Sequence, residues 1–309
     1  MNKNRLLLIV LGVLILVYLG NKFIGSVNER NFKEVLVELD TATVSKVVVM
    51  AKANNGSAVS ITKEGTDWSV TNGTVSDKAD MNMAKNMVVS LRKLEPQRLV
   101  ANSSEKWEQY EVTDSLGTRV QLFNGEELLT DIIIGKFTFN LQARTAATFV
   151  RLTDEEEVYS VDGFLSSTYN QEFNSFRDKT FVETVPENLT SLKFDYSGDS
   201  SFVLNKVADA WQVNGIAADS TAVAQYLNGL RRLDQRQFED GFTTSETPTY
   251  TLTLDGNNMS SVVVRGFMKG EEVILNSSLN SDAYFQKGSL NVFDKLFVSA
   301  GKFLTEVEE

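Results

Sequence analysis

The sequence has no cysteine and no histidine, and only three of its 309 residues are proline. Without cysteine there are no disulfides and no thiolate metal sites. Without histidine, Ser-His-Asp and Cys-His triads, His-ligated zinc and an imidazole general base are all excluded. Any catalysis would rest on carboxylates, lysine, tyrosine or Ser-Lys pairs. Pro96, Pro186 and Pro248 each fall between expected elements, and Pro186 marks the expected domain boundary. Basic charge is also scarce: 30 Lys and Arg stand against 41 Asp and Glu, for a net charge of −11. The first thirty residues hold Lys3, Arg5, Lys22 and Arg30 against Glu29, so the rest of the chain carries −14. An acidic body repels phosphate backbones, and nucleic acid is not an expected partner.

What is present begins with an apolar run at residues 6–19, interrupted only by Gly12. Its 14 residues are fewer than the roughly 20 that span a bilayer, but the span reaches Ile24 if Lys22 snorkels. The run also fits a signal-peptide core, with Gly25-Ser26 the nearest cleavage candidate. We read residues 1–26 as a cytoplasmic tip and transmembrane signal anchor, and residues 27–43 as a tether. Lys3 and Arg5 precede the span and keep the N-terminus cytoplasmic. The body would then be periplasmic, tethered to the cell inner membrane. Its composition, 42% hydrophobic and 23% charged, is that of a globular protein.

A pattern occurs twice in that body, 143 residues apart. Trp68-Ser69-Val70-Thr71-Asn72-Gly73 is followed by Asp77 and by Met87, Val88, Leu91 and Leu94. Trp211-Gln212-Val213-Asn214-Gly215 is followed by Asp219 and by Tyr226, Leu227, Leu230 and Leu233. Each copy should be one folding unit. In the first, β-branched runs at 44–49 and 58–62 flank an Asn-Asn-Gly turn and lead to Trp68, a three-strand meander. Asp77 suits an N-cap, and Ala84, Met87, Val88, Leu91 and Leu94 recur at helical spacing. Strands are expected at 118–123, 128–134, 147–152 and 158–161, then a helical stretch at 163–176. The second copy repeats this order, with a helix at 221–233 and a terminal helix at 292–303. The expected fold is α+β: two tandem repeats of a mainly antiparallel sheet with a packed helix, at 44–181 and 182–309.

The residues that carry chemistry are few. Trp68 and Trp211 alternate with Val70 and Val213 and read as core anchors. Trp107 and Tyr110, beside Glu105 and Glu108, form an aromatic-acidic patch in an expected loop and are the better recognition candidates. Arg177, in Arg177-Asp178-Lys179, should pair with a carboxylate or cap helix carbonyls where the copies meet. Residues 154–157 are all acidic but lack the spaced ligands and glycine of a calcium loop. Arg231, Arg232 and Arg236 suit a helix C-terminus. Asp40-Thr41-Ala42, Asp114-Ser115-Leu116 and Asp219-Ser220-Thr221 resemble an envelope O-glycosylation pattern. No catalytic residue, cofactor or metal is assigned.

With the repeat laid out, the chain resembles the bacterial family called domain of unknown function 4340. The carrying features are the apolar N-terminus, the strand at 44–49, residues 63–70 (KEGTDWSV) and their counterpart at 206–215. Ala79-Asp80 and Ala218-Asp219 precede the leucine-spaced helices. Further on come 105–112 (EKWEQYEV), Ile134-Gly135-Lys136, Phe149-Val150-Arg151 and Phe176-Arg177-Asp178-Lys179. The resemblance implies an envelope protein often encoded beside gliding-type ABC-transporter components, and it carries no site residues. The expected function is a membrane-anchored binding or scaffold subunit, with a protein partner in a membrane complex such as an ABC transporter and no small-molecule ligand assigned. The alternatives are a carbohydrate- or peptide-binding module and, more remotely, a carboxylate-based hydrolase, which needs two opposed carboxylates roughly 5–10 Å apart.

Overall fold

The computed structural model describes residues 32–142, 144–287 and 291–305. The apolar run and its reading as an anchor lie outside them. No helix among the described residues is long and apolar enough to cross a membrane.

The first half runs β1 (Val37–Glu38), β2 (Lys46–Met50), β3 (Ala58–Glu64), β4 (Asp67–Thr71), β5 (Ser76–Lys78), α1 (Met81–Ser90), β6 (Lys93–Leu94), β7 (Pro96–Ala101), α2 (Trp107–Tyr110), β8 (Thr118–Asn124), β9 (Glu127–Asn140), β10 (Thr145–Leu152), β11 (Val158–Asp162), α3 (Leu165–Tyr169) and α4 (Phe173–Phe176). The second half runs β12 (Thr180–Glu183), β13 (Leu189–Tyr196), β14 (Phe202–Val207), β15 (Ala210–Val213), β16 (Ile216–Ala217), α5 (Ser220–Gly229), β17 (Arg232–Asp234), β18 (Tyr250–Gly256), β19 (Val262–Lys269), β20 (Glu272–Ser277), β21 (Asn280–Gln286) and α6 (Val292–Leu296). The fold is α+β, built mainly from two antiparallel sheets.

The nine-stranded sheet has the order β5-β4-β3-β2-β8-β9-β10-β11-β7, and the eight-stranded sheet β16-β15-β14-β13-β18-β19-β20-β21. The first eight strands of the larger sheet correspond in order to the eight of the smaller, and β7 is the extra one. β1 pairs with β6 in the first half as β12 pairs with β17 in the second. Where β7 closes the first sheet, Phe238 makes a single bridge to Phe285 of β21.

Alternation explains the cores. Val47 and Val49 of β2, Val59 and Ile61 of β3, and Trp68 and Val70 of β4 all turn to the helix side and are buried. Ala84, Met87 and Val88 of α1 meet them. Each such side chain contributes about 1.5–3 kcal/mol when fully buried. Trp211 is half-buried and packs against the second core. Residues 32–43, expected as a tether, dock instead: Phe32, Leu36 and Leu39 pack on the first core, and Val37 is buried.

The structure corrects the assignment of one cap. Asp80, not Asp77, caps α1, accepting from the Met83 amide at 3.0 Å. Asp219 caps α5 as expected, accepting from the Thr221 and Ala222 amides at 2.8 and 3.1 Å. The chain after Asn72-Gly73 adds a strand, β5, before the helix, and this draws Asp77 into the sheet opposite Val70. Other boundaries shift as well. The helix expected at 221–233 stops at Gly229 because Arg232–Asp234 pairs with β12. The expected terminal helix breaks into α6 and a 3-10 turn at Ala300–Phe303. The stretch at 163–176 divides into α3 and α4. Pro96 opens the edge strand β7, where its missing N–H costs least.

Candidate functional site at the junction of the two sheets

β5 is the edge of the first sheet, and Asp77 sits at its centre with Oδ1 accepting from the Lys78 amide at 2.9 Å. α4 ends at Phe176, whose carbonyl receives the Asp80 amide at 2.8 Å. That bond fixes the next residue, Arg177, against the same edge, where it bridges to Ala79. Arg177 is 2% exposed. Its Nε and one terminal nitrogen donate to Asp77 Oδ2 at 2.9 and 2.7 Å. That terminal nitrogen also lies 2.7 Å from Asp240 Oδ1 of the second half, and the other donates to Asp240 Oδ2 at 3.0 Å. Asn174 Oδ1 accepts a further bond at 3.0 Å. The guanidinium lies 3.5 Å from the centroid of the Phe238 ring. One cation thus holds a carboxylate from each half in the planar fork geometry suited to arginine.

The chain leaves Arg177 directly for the second half. Lys179 Nζ donates to the carbonyls of Ser175 and Arg177 at 2.6 and 3.0 Å. Burial depresses the pKa of this ammonium, partly offset by Asp80. The Asp178 carbonyl accepts from Asn280 Nδ2 at 2.9 Å, which joins the crossing to β21. Beside Arg177 a cleft of about 570 Å³ opens on the first half, with Asp240 of the second half at its wall. Asn54, Asn55, Asn72, Glu172, Phe173 and Asp240 line it. Its walls offer amides, carboxylates and one aromatic ring, a set suited to hydroxyl- or amide-rich ligands. Both oxygens of Asp240 are engaged by Arg177, so in this cleft Asp240 acts as an ion-pair partner.

Trp107 and Tyr110 stand elsewhere, on α2, near the opposite edge of the nine-stranded sheet. The Trp107 ring covers the Arg151 guanidinium at 3.7 Å, and its Nε1 donates to the Glu156 carbonyl at 2.8 Å. Arg151 is buried, and its side chain donates to the carbonyls of Val112, Leu152, Thr153 and Glu155, each at 3.2 Å. Burial lowers its pKa, with Asp114 opposing. Tyr110 packs on Phe149, ring centroids 4.6 Å apart, and donates to the Val100 carbonyl at 3.3 Å. Both aromatics are half-buried around a small core of Ala101, Val112, Ile133, Phe149 and Val158. The acidic turn at 154–157 supplies one of the carbonyls that hold Arg151 and the one that holds Trp107.

Arg231 pairs with Glu187 at 3.1 Å, and Arg232 with Glu183 and Asp234 at 3.5 and 3.1 Å. Sequence reasoning found Arg177 but missed Asp240 and Phe238. The stretch around them has no periodicity, and its carboxylate is recognisable only once the two halves are in contact.

A family model described as Domain of unknown function (DUF4340) matches residues 78–254. That is more than half of the chain, and it takes in α1, Arg177, the crossing to β12, and Asp240. No curated protein and no solved structure matches the chain.

Proposed function

The chain belongs to the DUF4340 family, and from that premise we propose that it is a membrane-anchored extracytoplasmic binding or scaffold subunit. It acts as an accessory to a membrane complex of the ABC-transporter type. The observation that carries this reading is the Arg177 junction. A buried guanidinium that engages Asp77 and Asp240 together makes the two sheets one platform with a fixed cleft. Rigid platforms suit recognition because little ordering is left to be done on binding. The matching strand orders support two tandem copies of one folding unit. The apolar run at 6–19, behind Lys3 and Arg5, supports an inner-membrane anchor with a periplasmic body. Such an anchor would hold the platform at high effective concentration beside its partner.

The test is photo-crosslinking in native membranes, with the photoreactive residue placed at Asn72 or Glu172 on the cleft rim. The expected product is an adduct with a transmembrane transporter subunit. Adducts no more abundant than from a residue on the far edge, such as Arg98, sink the proposal. The amides and the Phe173 ring of the cleft favour one second reading, a carbohydrate- or peptide-binding module. Under that reading the same residues label glycan fragments or peptides rather than a subunit.

A further inference from the structure

β9 is the longest strand among the described residues, and its last third runs on past β8. β8 stops pairing with it at Thr118–Ile134, whereas β10 continues to Thr145–Asn140. Between Ile134 and Phe137 the register with β10 shifts, so Gly135 and Lys136 form a bulge. Beyond it, Phe137, Thr138 and Phe139 have a strand partner among the described residues on one side only, β10. Phe137 and Phe139 are each 47% exposed and Leu141 is 81% exposed. They share one face with Phe164, whose ring centroid lies 5.4 Å from that of Phe137 and 6.1 Å from that of Phe139.

The direction of the backbone on the open side follows from one bond. Gly163 donates to the Ala146 carbonyl at 3.1 Å, so Ala146 turns its peptide groups toward β11. Phe139, opposite Ala146, therefore turns its own N–H and C=O away from β10, and by alternation so does Phe137. The open edge thus presents two complete donor–acceptor pairs, flanked by aromatic rings. Edges of this kind are normally blunted by proline, by inward charge or by a covering element. Here residues 137–140 hold neither proline nor charge.

We propose that this edge pairs with the same edge of a second copy of the chain, antiparallel about a two-fold axis at Thr138. The sequence Phe137-Thr138-Phe139 reads the same in both directions, so the axis sets Phe137 against Phe139 of the partner subunit, and the reverse. Those are the residues whose peptide groups face outward, so both pairs are hydrogen-bonded and Thr138 meets its symmetry mate in the narrow, non-bonded pairing, with Cα atoms about 4.5 Å apart. The four phenyl rings then lie on one face, where cross-strand aromatic pairs are favourable. No like charges are opposed. No Asp or Glu occurs between Asp131 and Asp154, so the hairpin carries none of the acidic charge that would otherwise keep two such chains apart. A symmetric pairing of this kind closes on itself and leaves no further edge of the same type.

The absence of cysteine makes the test clean. The full chain carrying Thr138→Cys, in membranes from the producing cells, is treated with a mild oxidant. A disulfide-linked dimer at twice the chain mass is expected, forming at least tenfold faster than with Asn140→Cys. The two Asn140 positions would lie roughly 14 Å apart along the strands, beyond the roughly 4.4–6.8 Å that a disulfide spans. Adding Phe139→Asp to Thr138→Cys should abolish the dimer, while Asp and the native Phe both leave the Arg177 junction untouched. A Thr138→Cys chain that stays monomeric overturns the proposal. So does equally fast linkage through Asn140→Cys, or a disulfide to a different protein, which would mean that another strand occupies this edge. Quenching of a Phe139→Trp emission by brominated lipids, with no dimer, would assign the hairpin to a lipid surface instead.

Discussion

Replacing Arg177 by methionine should be among the most damaging single changes outside the cores. The side chain of Asp77 is 3% exposed and that of Arg177 is 2% exposed. Methionine leaves the Asp77 carboxylate buried with only the Lys78 amide as a partner. Removing one member of a buried pair costs about 3–5 kcal/mol, because the other charge remains without compensation. Asp240, with its side chain 35% exposed, can return to water and adds little. The corresponding positions of the second half are apolar, although Ile216 is 61% exposed there. Ile216 pairs with Val213 as Asp77 pairs with Val70, and Leu304 follows Phe303 as Arg177 follows Phe176. The Asp219 amide bonds the Phe303 carbonyl at 2.8 Å, matching the bond from Asp80 to Phe176. The double variant Asp77→Ile with Arg177→Leu should lose no more than about 1 kcal/mol, since apolar replacement of a buried pair is often neutral. Urea unfolding of the full chain in detergent, followed by tryptophan fluorescence, measures both. The reasoning fails if Arg177→Met costs less than about 1 kcal/mol, as an exposed pair would. It also fails if the double variant is as unstable as the single one.

Three further outcomes follow from the same geometry. Asp80→Ala should cost about 1 kcal/mol through loss of the α1 cap, measured by the urea midpoint, and Asp219→Ala a similar amount for α5. Gly135→Ala should cost at least about 1–3 kcal/mol and loosen α2, because the added Cβ would lie 2.2 Å from the Tyr110 carbonyl oxygen. Faster proteolysis at residues 104–112 would report the loosening, and unchanged proteolysis and stability would contradict it. Burial raises the pKa of Asp131, but hydrogen bonds from Arg119 and Gln121 outweigh it and hold the group below the usual carboxylate range. The unfolded chain then takes up this proton first as pH falls. The contribution is present in full above about pH 4 and is lost as pH drops through the lower folded-state pKa. Asp131→Asn should flatten the acid limb of a stability–pH curve; an unchanged limb refutes the assignment.

Much of the fold was legible because burial on one face writes a period into the sequence. The strands around Val47, Ile61, Val120 and Leu192 alternate, and both helices repeat Met, Val, Leu or Tyr at helical steps. The short strands were not legible. β1, β6, β12 and β17 have two to four residues each, too few for any period, and exist because their partners do. The cap of α1 was misassigned because Asp77 and Asp80 are both plausible from local chemistry, and only the pairing of β5 separates them. At the junction, Arg177 was recognisable as a charged residue between two apolar units. Its partners lie 100 and 63 residues away, and no local rule connects them. The exposed hairpin was hidden for a different reason: the expected strand ends at 134, and nothing local to Phe137 and Phe139 shows that β9 runs on past β8.

The central claim, that this chain works as a tethered subunit of a transporter-type complex, is tested most directly by native mass spectrometry of the tagged full chain purified from its own membranes in mild detergent. The account predicts a stoichiometric assembly containing transporter membrane and ATPase subunits. Recovery of the chain alone, or only with further copies of itself, would contradict it.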